Sequence, residues 1–125
     1  MSDYYRELSR KGIAHLYALK YTREHEAHLR RMYADVGSFK DEFVVTDAML
    51  DAIKQMGARR GVAIPDEDHE SATTHVQLVR ALRVLIARFT YGFDQQYVVL
   101  AESDASIQRA LEALESNTLS ELGLK

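Results

Sequence analysis

Two histidines three residues apart, His25 and His28 in His25-Glu26-Ala27-His28, are the first residues in this chain that invite chemistry. A zinc-protease helix uses His-Glu-x-x-His, which puts its two imidazoles four residues apart with the glutamate between them. The spacing here is one residue short, so that motif is absent. Arg23, Glu24, Glu26 and Arg30 surround the pair and make it read as a solvated helix face rather than a metal site. His69, flanked by Asp66, Asp68 and Glu70, is a second cluster of metal-ligand type. Its simpler account is a carboxylate-rich helix start, where the positive end of the helix dipole favours negative charge. His15 and His75 sit beside apolar residues and read as boundary or core histidines. No metal and no cofactor is expected.

Nucleophilic catalysis finds equally little. The chain contains no cysteine, so thiolate chemistry and disulfides are excluded. None of its serines lies in a Gly-x-Ser-x-Gly elbow, and no Walker loop or Gly-x-Gly-x-x-Gly turn occurs. A net charge of −3 gives no electrostatic reason to expect nucleic acid. No apolar run approaches the ~20 residues that span a bilayer. The first residues, Met1-Ser2-Asp3-Tyr4-Tyr5-Arg6, lack the apolar core of a signal peptide, so the chain as written is expected to stay in the cytoplasm.

The elements that would position any site read as helices. The length, 125 residues, fits one domain, and 46% apolar content suffices for a real core. One proline and six glycines leave long uninterrupted segments. Ser2 or Asp3 caps a helix over Asp3–Arg10, with Tyr4, Tyr5 and Leu8 as its apolar set. Ile13, Leu16, Tyr17 and Tyr21, then Leu29, Met32 and Tyr33, predict helix over 13–33 with a break near Thr22. Ser38 with Asp41 resembles a capping box for a short helix carrying Phe39 and Phe43. Thr46 caps a helix from Asp47 to about Arg60, followed by Gly61. Pro65 is read as the start of the longest helix, with His75, Leu78, Val79, Leu82, Leu85, Ile86 and Phe89 inward and Gly92 as its end. A helix over about Asp94–Ala101 carries Tyr97, Val98 and Leu100, and Ser103 caps a last one with Ile107, Ala110, Leu111 and Leu114 on one face. The expectation is an all-α, single compact bundle of about five to seven helices over residues 1–116, with a frayed tail at 117–125.

Seven tyrosines stand out in so small a chain. Most are expected to close helix–helix seams, rings inside and hydroxyls at the edge. Tyr4 and Tyr5, with Leu8, are the residues expected to form a surface for a partner or for docking on the rest of a larger protein. Arg88 is expected to pair with Asp104 at the start of the last helix.

Read in order, several segments resemble the C-terminal helical region of the tail-specific, or carboxyl-terminal processing, serine proteases. The resemblance begins with Tyr4-Tyr5-Arg6-Glu7-Leu8 and Lys11-Gly12, and continues through Tyr21, Tyr33, Phe39, Phe43 and Thr46-Asp47-Ala48-Met49-Leu50. It ends with Ala81-Leu82, Leu85-Ile86-Ala87-Arg88, Tyr91-Gly92, Tyr97, Ser103-Asp104 and Ala110-Leu111. Order and spacing carry it rather than any one motif. Two positions depart from the pattern: Ala105 stands where proline is common, and Phe89-Thr90-Tyr91 where Asp/Asn-Leu-Trp is more usual.

The resemblance implies a parent that cleaves polypeptides near their C-termini with a serine–lysine dyad, aided by a PDZ module, both upstream of Tyr4. No catalytic position maps onto this chain. It further implies a parent that is exported, either periplasmic or membrane-tethered. The region itself would pack on the protease core or support assembly, with a second copy or an adaptor protein as further partners. The alternative expectation is a free-standing helical module that binds another protein through its tyrosine-bearing N-terminal helices.

Overall fold

Capping chemistry sets the helix boundaries. In the computed structural model, which describes residues 1–67, 69–101, 108–110 and 112–113, α1 spans Asp3–Arg10 and opens where the Ser2 hydroxyl accepts the Tyr5 N–H. The left-handed Gly12, at φ 68°, turns the chain into α2, Ile13–Met32. That helix runs unbroken through Thr22, whose side chain is buried and whose hydroxyl makes no hydrogen bond that would compete with the helix backbone among the described residues.

Helix α3, Val36–Glu42, starts earlier than the sequence suggests. Its cap is Asp35, whose carboxylate accepts the Ser38 N–H at 2.8 Å, so Ser38 is a donor inside the first turn and not the cap. Gly37 leaves room for that carboxylate, since a Cβ there would sit 3.3 Å from Asp35 Oδ1. Helix α4, Asp47–Arg59, opens on the Thr46 hydroxyl, as its sequence predicts.

Helix α5, Ser71–Tyr91, is the longest element but does not begin at Pro65. Residues 62–67 are extended or bent, and Glu70 holds the N-cap position without a side-chain cap bond. The carboxylates that crowd this stretch repel one another when stacked at helical spacing. Glu70 instead accepts the Asp3 N–H at 3.3 Å, tying the start of α5 to the start of α1. Gly92, at φ 110°, ends α5, and a 3₁₀ turn over Phe93–Gln95 leads into helical residues 96–101.

The described residues form an all-α bundle without strands, in which α2 and α5 make the most extensive pairing and α1, α3 and α4 pack around them. The buried stripe of α5 is Thr74, Leu78, Leu82, Ile86, Ala87 and Thr90. His75 is exposed, one position out of register with the expected inward set. Thr74 takes the inward place, its hydroxyl 2.6 Å from that of Ser2. In the helical residues 96–101 it is Gln96 and Val99 that point inward, while Tyr97 and Val98 are exposed. The last expected helix, with Ser103, Ile107, Leu111 and Leu114, lies largely outside the described residues, as does the 117–125 tail.

Candidate functional site

The histidines do not converge. His25 turns its Nδ1 to the Tyr21 carbonyl at 2.9 Å and stacks on the Tyr21 ring, centroids 4.2 Å apart, while His28 is exposed. His15 meets Phe89 edge-on at 5.2 Å. His69 lies 3.8 Å from Glu67, both in solvent, and its neighbour Asp68 lies outside the described residues. Among the described residues no group of three or more His, Cys, Asp or Glu side chains could hold a metal ion.

The expected partner surface on α1 is not free. Tyr4 is only 7% exposed and Leu8 is fully buried, both within this chain's own core, and Tyr5 is half-buried against it. The reason is the packing of α1 on α2 and α5, together with a close approach to α4. Leu8 occupies the space beside Gly57, where a Cβ would meet Leu8 Cδ2 at 2.6 Å. What remains at this end is a shallow depression of about 260 Å³ between α1 and the segment 61–65, rimmed by Asp3 and Glu7. Arg88 places its guanidinium over the Phe93 ring, 4.9 Å from the centroid, a cation–π contact. Asp104, its expected partner, lies outside the described residues.

Two regions gather the remaining side chains with chemical character. The first is an aromatic knot at the far end of α2. Phe39 and Phe43 stack at 4.5 Å, Tyr33 meets both edge-on at 5.9 Å, and Tyr91 meets Phe39 at 5.8 Å. The Tyr91 hydroxyl donates to the Tyr33 carbonyl. Arg83 of α5 donates to the carbonyls of Lys40 and Phe43, satisfying the C-terminal end of α3. Arg30 does the same for the Thr90 carbonyl at 2.6 Å. Burial pushes the Tyr91 phenol above its ordinary value, the expected response of an acid whose charged form is desolvated. Every polar group named here has a structural partner.

The second region is a groove between the outer faces of α2 and α4. It consists of two adjoining hollows of about 180 and 350 Å³ that share Lys20, Glu24 and Met56. Leu16, Leu19, Tyr17, Tyr21, Ala52 and Met56 form its apolar floor. Lys20, Arg23, Arg59 and Arg60 stand on its rim, opposed by one carboxylate, Glu24. Among the described residues these four cations form no ion pair, whereas Arg6, Arg10, Arg30 and Lys40 elsewhere do. Burial against the floor, followed by neighbouring groups, raises the Tyr17 and Tyr21 phenols, so both rings stay neutral at physiological pH.

The sequence held a signal for this groove. Leu16, Leu19, Lys20 and Arg23 lie on one helical stripe of α2, three or four residues apart. Arg59 and Arg60 read locally as charges suited to a helix C-terminus, and only the tertiary pairing of α2 with α4 brings the two sets together.

Fold and site define a helical protein domain with a knotted aromatic core at one end and a cationic groove on one side, without a catalytic constellation among the described residues. The chain belongs to DUF8443, a family of unknown function, whose model matches residues 4–92. That match runs from α1 to Gly92 at the end of α5, more than half of the chain. No curated protein matches the chain, and no solved structure does.

Proposed function

We propose that this chain is the non-catalytic C-terminal helical region of a tail-specific serine endopeptidase, packing on the protease core or supporting its assembly. The observation that supports the reading is where the residues of the resemblance fall in the fold. Phe39, Phe43, Leu50, Leu82, Ile86 and Ala87 are buried in one core, Thr46 caps α4, and Tyr91-Gly92 forms the corner that ends α5. A shared order of caps, core and corner is what a shared helical framework requires. The peptide-bond chemistry, a serine–lysine dyad acting near polypeptide C-termini in an exported parent, belongs to residues outside this chain.

A second reading, a free-standing helical interaction module, is favoured by the burial of Tyr4 and Leu8. A region cut from a larger core is expected to leave the apolar face of its first helix open, and here α1 is closed by the chain itself. Sequencing the gene upstream of the Ser2 codon separates the two. A continuous frame into a serine–lysine protease core supports the first reading, and any other upstream sequence leaves the second. Under both, the purified chain does not hydrolyse an unstructured polypeptide, and turnover by pure protein contradicts both.

A further inference from the structure

The groove between α2 and α4 sets partly exposed apolar side chains beside a concentration of cations, of which only Arg59 and Arg60, at the end of α4, have a local role in helix stability. Its floor offers Leu16, 38% exposed, and the half-buried Leu19, above Met56, which belongs to the core and closes the base of the groove. Its rim concentrates four cations against one carboxylate on a chain whose net charge is −3. Surface cations on a protein of opposite net charge are ordinarily dispersed among carboxylates, as Arg6 with Asp3 and Arg10 with Glu7 are here.

From this geometry we propose that the α2–α4 groove docks an acidic amphipathic segment of a protein partner. Apolar side chains of that segment would enter over Leu16 and Leu19, and its carboxylates would meet Lys20, Arg23, Arg59 and Arg60. An apolar floor between charged rims is the arrangement by which helices and short peptides seat in grooves. The rim charges select the partner's sign and orient its approach more than they add affinity. A nucleic acid fits less well, because the net negative chain repels a polyanion at long range and the floor offers leucine and methionine in its centre. The inference rests on the non-catalytic reading above but not on the identity of the parent.

The test uses the intact chain, isotope-labelled, at low ionic strength, with three probes. One is a synthetic amphipathic peptide with leucines along one helical face and glutamates elsewhere. The second replaces every glutamate with lysine, and the third is single-stranded poly(U). The glutamate peptide is expected to shift the amide resonances of residues 16–25 and 52–60, and the lysine peptide to leave them unchanged. In the double variant Arg59→Glu/Arg60→Glu, binding of the glutamate peptide should weaken about tenfold or more, because two attractive rim contacts become repulsive. The charge-matched variant Lys11→Glu/Arg31→Glu, away from the groove, should bind as the parent does. Equal response to both peptides, no response to either, or tighter binding of poly(U) to the same amides would each overturn the proposal. Upstream gene sequence is blind to these results, so failure here is distinct from failure of the protease reading.

Discussion

The aromatic knot and the α2–α4 groove contain the same kinds of residue, tyrosines, arginines and large apolar side chains, yet they treat them in opposite ways. In the knot, Arg83 and Arg30 are tied to backbone carbonyls and the rings of Tyr33, Phe39, Phe43 and Tyr91 close on one another. In the groove, Lys20, Arg23, Arg59 and Arg60 stand over an apolar floor with no ion pair among the described residues. An arginine committed to a helix end is part of the fold, and an arginine left over exposed leucine is available to something else. The difference locates stability at one end of the bundle and recognition on its side.

Breaking the knot should produce the largest effect. Phe39 is fully buried at its centre, so Phe39→Ala is expected to cost about 3–5 kcal/mol in denaturant unfolding. A loss below about 1 kcal/mol would mean that the knot does not hold the bundle together. Next in size is Arg83→Met, which keeps the aliphatic stem and removes the donors to Lys40 and Phe43 carbonyls. Loss of charge-assisted hydrogen bonds at a half-buried helix end is expected to cost about 1.5–3 kcal/mol. Hydrogen exchange should then accelerate first in α3, and uniform acceleration would argue against a local capping role.

The tyrosines predict an alkaline limit. Tyr17, Tyr21 and Tyr91 are held protonated in the fold above their ordinary value, chiefly by burial. Their contribution is therefore fully present below the unfolded tyrosine pKa of about 10. It is lost as pH rises through the higher folded values, because the unfolded chain ionises first. Urea midpoints measured across this range should hold level and then fall as the tyrosinate absorbance rises. A midpoint that rises instead would reverse the sign of the argument.

A smaller change should sharpen the contrast in the other direction. The buried hydroxyl of Thr22 has no hydrogen-bond partner among the described residues. Thr22→Val removes a desolvated polar atom at nearly constant shape and is expected to raise stability by up to about 1 kcal/mol. A destabilised variant would point to an ordered water at that hydroxyl.

Much of the fold was legible in the sequence because its signals are local. Ser2, Gly12, Thr46 and Gly92 mark helix ends by chemistry that acts within a few residues, and all four stand where the structure ends or begins a helix. The sequence misleads where a distant partner competes. Pro65 and its acidic followers look like a helix start, but Glu70 is drawn to the Asp3 backbone, and α5 begins at Ser71. His75 looks inward by spacing, but the contact of Ser2 with Thr74 sets the register of that end. Tyr4, Tyr5 and Leu8 read as a surface set because the packing of α1 on α2 and α5, and the place of Leu8 beside Gly57, are contacts that no local pattern reveals. The groove is half legible for the same reason: each helix carries its share of the cations, and only packing joins them.

The most direct test of the division between stability and recognition is a paired measurement on Arg59→Glu/Arg60→Glu. Reversing two exposed charges at the C-terminal end of α4 removes their favourable interaction with the helix dipole and should cost no more than about 2 kcal/mol in stability, or about 8 °C in thermal midpoint. In the same samples the affinity for the glutamate-rich amphipathic peptide should fall about tenfold or more. A midpoint that drops well beyond that helix-dipole effect would make these arginines part of the fold, and unchanged affinity would leave the groove without the role assigned to it.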